Sequence, residues 1–366
     1  MITLDRNDVF GLAPFGQGKS WKRAQFLGLL TELTEHHARH CPEYSRILQA
    51  SDRPAAPYLA SEDLPFIPAN LFKGLSLASV PPEKVARTLV SSGTTGGPRS
   101  RVMLDQSTAM DQLRALMCTL GALVGRKSVA VLVLDSPNTL ADPADPRVSG
   151  RAGGVQGFSM LGKFRGFALD RDLKLDPDAI EAFLTRARGE PFLVYGFTSV
   201  IYSHVIEPLI RSGERFDLAQ GILVHGGGWK KLAARNIGDA RFRADLAAVS
   251  GLGRVHNYYG MVEQMGSIFL ECERGHLHSS CFSDIVFRRP RDFSVCDVGE
   301  TGIAQVISML PRSYPGHSLL TEDEGVLLGE DDCPCGWKGK YFKIFGRLEA
   351  AEAKGCGDVD GYARAS

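Results

Sequence analysis

Three short apolar runs punctuate the middle of the chain: Val129-Ala130-Val131-Leu132-Val133-Leu134, Pro191-Phe192-Leu193-Val194-Tyr195 and Gly221-Ile222-Leu223-Val224. Runs of this length without polar alternation predict strands buried on both faces. Between them, 177–187 and 199–211 carry apolar residues at helical spacing, so strands and helices alternate and the fold class is α/β. Upstream, Phe26, Leu29, Leu30 and Leu33 predict a helix over 21–40 that Pro42 stops, and the proline-rich stretch 51–82 predicts a wrapping connection. A strand at 88–90 and a helix at 107–120 follow. Beyond Ser267 the periodicity changes to short strands at 268–271, 285–288, 303–308 and 325–328, a smaller β-rich part. The expected division is a helical and wrapping segment at 1–88, an α/β core at 89–265, the β-rich part at 266–345, and a tail at 346–366.

Of the 366 residues, 44% are apolar and 23% charged, which is ordinary globular composition. Forty-two basic residues balance forty-two acidic ones, so no whole-molecule field favours nucleic acid or an anionic membrane. Any affinity for phosphate must be local. Met1-Ile2-Thr3-Leu4-Asp5 lacks a basic leader, and no apolar run reaches the roughly 20 residues of a membrane span, so a cytoplasmic location is expected. Eight cysteines without a leader point to thiols or metal ligands rather than disulfides.

Three loops carry chemistry. Ser91, Ser92, Gly93, Thr94, Thr95, Gly96 and Gly97, followed by Arg99 and Arg101, combine hydroxyls, bare backbone and cations, a mixture that suits polyphosphate. The expected context is strand, loop, helix. His225, Gly226, Gly227 and Gly228 follow an apolar strand and leave the backbone open to a flat or anionic ligand. Tyr258, Tyr259, Gly260 and Glu263 lie within six residues, enough to wall a purine and hold a magnesium ion.

Read in order with Thr321-Glu322-Asp323 and Phe345-Gly346-Arg347, these loops resemble the adenylate-forming superfamily, which joins a carboxylate to AMP and hands the acyl group to a thiol. The resemblance implies that the loop from Ser91 to Gly97 holds the outer phosphates of ATP and that Tyr258 or Tyr259 with Gly226, Gly227 and Gly228 frames adenine. It further implies Glu263 on Mg2+, Asp323 on the ribose hydroxyls and Arg347 at a hinge. Arg99 stands where the superfamily loop carries lysine, a change that allows bidentate contact.

Members of that superfamily continue for a further lid domain; here nineteen residues follow Arg347, so the expected fold is the large domain with a truncated lid. Trp229-Lys230-Lys231-Leu232, Tyr259-Gly260-Met261-Val262-Glu263-Gln264, Tyr314-Pro315-Gly316-His317 and the glycine-flanked Cys356 resemble the acyl-protein synthetases of bacterial luminescence fatty-acid reductases. The implied reaction activates a fatty acid as acyl-AMP, loads it on Cys356 and delivers it to a partner acyl reductase; homo-oligomerisation is left open. Alternatives are a CoA ligase, with coenzyme A in place of Cys356, and an adenylate-binding scaffold. Cys272, His278, Cys333 and Cys335 form a candidate structural Zn2+ site, with His276 as a substitute ligand. Two further motifs are read as decoys. Ala13-Pro14-Phe15-Gly16-Gln17-Gly18-Lys19-Ser20 copies a nucleotide loop without a buried strand before it, and the hydrolase-like His225-Gly226-Gly227-Gly228 lacks a Gly-x-Ser-x-Gly elbow.

Overall fold

A computed structural model describes residues 5–51, 56–91, 98–125, 128–140, 147–227 and 229–348. The apolar runs form the centre of a parallel sheet in the order Gly162–Phe167, Val129–Val133, Phe192–Phe197, Gly221–Gly226, Arg254–Tyr259. Side chains alternate across it. Leu132 and Val194 face a layer of Phe183, Ile206, Phe242 and Leu246, from helices on one side. Val131, Val133, Leu193 and Tyr195 face Leu116, Leu120, Val155 and Phe158, from the helices Gln106–Val124 and Gly150–Ser159 on the other. Covering both faces is what makes the strands continuously apolar. Pro177–Ala187 matches its expected bounds, with Asp176 accepting from the Ala179 amide at 3.0 Å as its cap.

Arg254–Tyr259 joins two halves of one sheet. Its free edge pairs antiparallel with Phe269–Glu271, Tyr259 opposite Phe269 and Tyr258 opposite Leu270. From there the sheet runs on through Leu277–His278, Lys340–Arg347, Ser318–Glu330, Thr301–Ser308 and Ser283–Arg288. The strands on either side of the expected 265/266 division therefore hydrogen-bond to each other, and 325–328 is part of the longer strand Ser318–Glu330.

The N-terminal helical run ends at His40, and Pro42 then opens another helix, Pro42–Gln49, at the position where its missing N–H costs nothing. Phe26, Leu30 and Leu33 pack on Phe282, Val286, Ile307 and Met309 of the antiparallel half. Ile67–Pro68 adds parallel to Leu319 and Leu320, so the proline-rich segment wraps onto the sheet.

One expectation is corrected. The loop after Val90 does not lead from strand to helix; it closes a hairpin in which Arg87–Val90 pairs with Arg101–Leu104, Val90 opposite Arg101. The helix Gln106–Val124 starts only after Asp105, whose carboxylate accepts from the Thr108 amide at 2.8 Å. Four residues of alternating burial are too short to announce a strand between a glycine loop and a strong helix signal. Among the described residues no helix is long and apolar enough to cross a membrane.

Candidate active site

Because the central strands are parallel, their carboxyl ends open along one edge, the place where such sheets hold ligands. Asp135, Phe197, Gly226 and Tyr259 lie at the ends of four neighbouring strands. At Gly226 a Cβ would stand 2.7 Å from the Tyr258 carbonyl oxygen and 2.8 Å from its ring, so only glycine admits this approach. Gly227 follows at φ 71° and is exposed, as is Gly260. The Tyr258 hydroxyl lies 3.2 Å from that of Tyr195, whose ring stacks on Phe158 at 3.8 Å. Burial pushes both phenols above their ordinary range.

Glu263 sits on the short turn Val262–Gln264 and is only 7% exposed. Burial raises its pKa, while the polar Ser100 side chain and the charges of Lys73 and Arg347 act in the other direction. Ser100 belongs to the mouth of the glycine loop. Its carbonyl accepts from the Ser91 amide at 3.1 Å, and its own amide donates to Ser91 Oγ at 3.0 Å. Next to Glu263, Gln264 Nε2 donates to the carbonyls of Val306 at 3.0 Å and Gly316 at 2.8 Å, which fixes the turn to the antiparallel half.

The Tyr259 hydroxyl donates to Asp323 Oδ2 at 2.6 Å. Burial first, and then the Asp323 charge, hold this phenol well above its usual pKa. Asp323 is opposite Arg347 in the strand register, and Arg347 also lies 4.0 Å from Glu322. Ser91 and Ser100 are hydrogen-bonded, Glu263 feels the Ser100 side chain and the charge of Arg347, and Tyr259 is hydrogen-bonded to Asp323, which stands opposite Arg347 in the register. Arg99 is exposed beside the loop mouth. Ser92, Gly93, Thr94, Thr95, Gly96, Gly228 and Cys356 lie outside the described residues.

The ligand atoms of Cys272, His278, Cys333 and Cys335 all lie within 4.8 Å of one another. His278 Nε2 is 3.5 Å from Cys335 Sγ, and His276 Nδ1 is 3.4 Å from Cys333 Sγ, so the substitute ligand stands alongside. Burial raises the thiols of Cys272 and Cys335 and lowers His278 to about 4, leaving a neutral imidazole among sulfurs. Three sulfurs and one neutral nitrogen, closely grouped and mostly buried, fit tetrahedral zinc.

Sequence reasoning passed over Ser100, and also over Asp135 with Arg151. Arg151 Nε and Nη2 grip the fully buried Asp135 carboxylate at 2.9 and 2.5 Å. The decoys stay decoys. Phe15 stacks on Trp337 at 4.0 Å, the Lys19 amide donates to Asp331 at 2.9 Å, and a 3-10 turn, Arg6–Gly11, precedes the segment instead of a strand. His225 is buried with its Nδ1 2.9 Å from Thr198 Oγ1, and burial lowers it to about 3.

No curated protein matches the chain. A solved 2-hydroxyisobutyryl-CoA ligase, in its postadenylation state with R3-HIB-AMP, is similar over 92% of this chain and 70% of its own, with a TM-score of 0.67 at 14% identity. The same ligase in an open conformation with 2-HIB-AMP and CoA is similar over 92% and 76%, with a TM-score of 0.64 at 16% identity. At these identities the likeness establishes the fold, that of the adenylate-forming enzymes. The family model described as "Acyl-protein synthetase, LuxE" matches residues 6–363. Matched over nearly its whole length and built on that fold, the chain belongs to the LuxE acyl-protein synthetase family of AMP-forming ligases.

Proposed function

We propose that the cleft at the strand ends activates a fatty acid with ATP and that the acyl group then moves to Cys356 for delivery to a partner acyl reductase. The observation that carries this reading is the convergence on Arg347 of two carboxylates, Glu263, which feels its charge, and Asp323, which stands opposite it in the register and accepts from Tyr259. Ser91, Ser92, Gly93, Thr94, Thr95 and Gly96, with Arg99, receive the outer phosphates. Gly226, Gly227, Gly228, Tyr258 and Gly260 frame the adenine. Asp323 has one oxygen engaged by Tyr259, and the other accepts from the ribose. Glu263 would hold magnesium, since a desolvated carboxylate is a strong partner for a cation. Magnesium, when bound, neutralises charge on the phosphoryl oxygens.

A carboxylate oxygen of the acid attacks the α-phosphorus, and pyrophosphate leaves with the bonding electrons. The Cys356 thiolate then attacks the acyl carbon and AMP departs. In this reading 1–88 braces the sheet and 89–265 supplies the nucleotide core. Residues 266–345 supply Asp323 and the four residues, Cys272, His278, Cys333 and Cys335, that would hold a structural zinc, and 346–366 supplies the hinge and carrier tail.

Incubation with ATP, magnesium and a panel of carboxylic acids tests the reading. Wild-type protein should catalyse acid-dependent pyrophosphate exchange and gain one acyl mass. Cys356→Ala should keep the exchange and gain no mass. Labelling at another residue rejects Cys356 as the carrier, and release of free acyl-CoA on adding coenzyme A identifies that thiol as the acceptor instead.

A further inference from the structure

The Asp135–Arg151 pair stands at the same strand ends and has no part in the scheme above. Asp135 follows the strand Val129–Val133 and is completely buried, yet three groups besides its own chain direction converge on it. Arg151 takes both oxygens, Thr139 Oγ1 donates at 2.7 Å, and the Ser136 amide donates at 2.6 Å. A carboxylate satisfied this fully acts as an anchor, and what it anchors is an arginine whose side chain is 35% exposed at the edge where ligands bind. Only Nε and Nη2 are engaged by Asp135, so the Nη1 donors of the fork are left over from that pair.

The surroundings say what that edge meets. Arg151 is the second residue of the helix Gly150–Ser159. A Cβ at Gly150 would lie 2.7 Å from Val262, beside Glu263, and 4.0 Å from the carbonyl of Val90 at the loop mouth. One turn on, a Cβ at Gly154 would lie 2.6 Å from the Tyr195 hydroxyl and 3.3 Å from Phe197. The helix turn that carries Arg151 therefore packs against Val262, the neighbour of Glu263, at one end and against Tyr195 and Phe197 at the other. The acid must present its carboxylate at that boundary, with its oxygen toward the α-phosphate and its apolar part away from it.

Resting on the adenylation reading, we propose that Arg151, held in place by Asp135, is the residue that binds and aims the carboxylate of the acid substrate. A guanidinium shared with a buried anion carries little net field, so it orients the carboxylate without holding it too tightly to react.

The test is acid-dependent ATP–pyrophosphate exchange by wild type, Arg151→Gln and the double variant Asp135→Asn/Arg151→Gln, each checked for folding by circular dichroism. The double variant removes the buried charge that the single one strands. In folded variants the KM for the acid should rise about ten- to a hundredfold, the cost of one charged hydrogen bond, while the KM for ATP stays within about twofold. An unchanged acid KM in the folded double variant, or an ATP KM that rises equally, overturns the assignment. Wild type without acid-dependent exchange would instead overturn the adenylation reading, and this assignment with it.

Discussion

Asp323 shows how one side chain takes its task from its neighbours. Tyr259 donates to one of its oxygens at 2.6 Å, and the strand register sets Arg347 across from it. Tyr259→Phe should free that oxygen to rotate and weaken ATP binding about fivefold, the value of one hydrogen bond near 1 kcal/mol, with little change in melting temperature. Calorimetric titration with ATP measures it; an unchanged affinity would mean that Tyr259 does not orient Asp323. Glu263 and Asp323 could be nominated from the sequence because each sits in a distinctive local string of residues. Ser100 and Arg151 were not, since their partners Glu263 and Asp135 become neighbours only by folding.

At the scale of elements, the candidate zinc cluster ties the turn after Phe269–Glu271 to the loop between Ser318–Glu330 and Lys340–Arg347. The first of these pairs with the strand bearing Tyr258 and Tyr259, and the last two carry Asp323 and Arg347. Purified protein should contain one zinc per chain by elemental analysis. Cys333→Ser should lose it and be destabilised by about 3 kcal/mol or more in urea unfolding, because the binding energy of a structural zinc is folding energy. Metal-free protein of unchanged stability would remove the site. The ligand set could be chosen from sequence because cysteines and histidines are few and cluster on turns. The hairpin Arg87–Val90 with Arg101–Leu104 could not, because its second strand is too short to carry a period.

For the molecule as a whole, sensitivity to acid follows from three histidines buried as neutral rings. Burial lowers His225 and His317 to about 3 and holds His37 well below the ordinary value. His317 Nε2 meets Thr34 Oγ1 at 3.0 Å, and His37 Nδ1 meets Ser79 Oγ at 2.7 Å, so the pair joins the N-terminal helix to the sheet. The unfolded chain takes up these protons near pH 6.5 and the native one only far lower. Stability is therefore full above about pH 6.5 and falls as pH drops, by roughly 1 kcal/mol per pH unit for each histidine. Urea unfolding at pH 7.5 and 5.5 should show a loss of a few kcal/mol, and His317→Gln should flatten the slope; equal stability at the two pH values would contradict this. By itself the sequence determined the α/β alternation, the family and which cysteines and histidine the fold would cluster, because apolar runs and residue-specific motifs are local properties of the chain. Only the tertiary structure decided that the β-rich strands extend the parallel sheet, that Arg87–Val90 pairs with Arg101–Leu104 as a hairpin, and that Asp135 and Arg151 pair at the strand ends. Those outcomes depend on pairings between distant segments, where burial and hydrogen bonding choose among partners that no local pattern distinguishes.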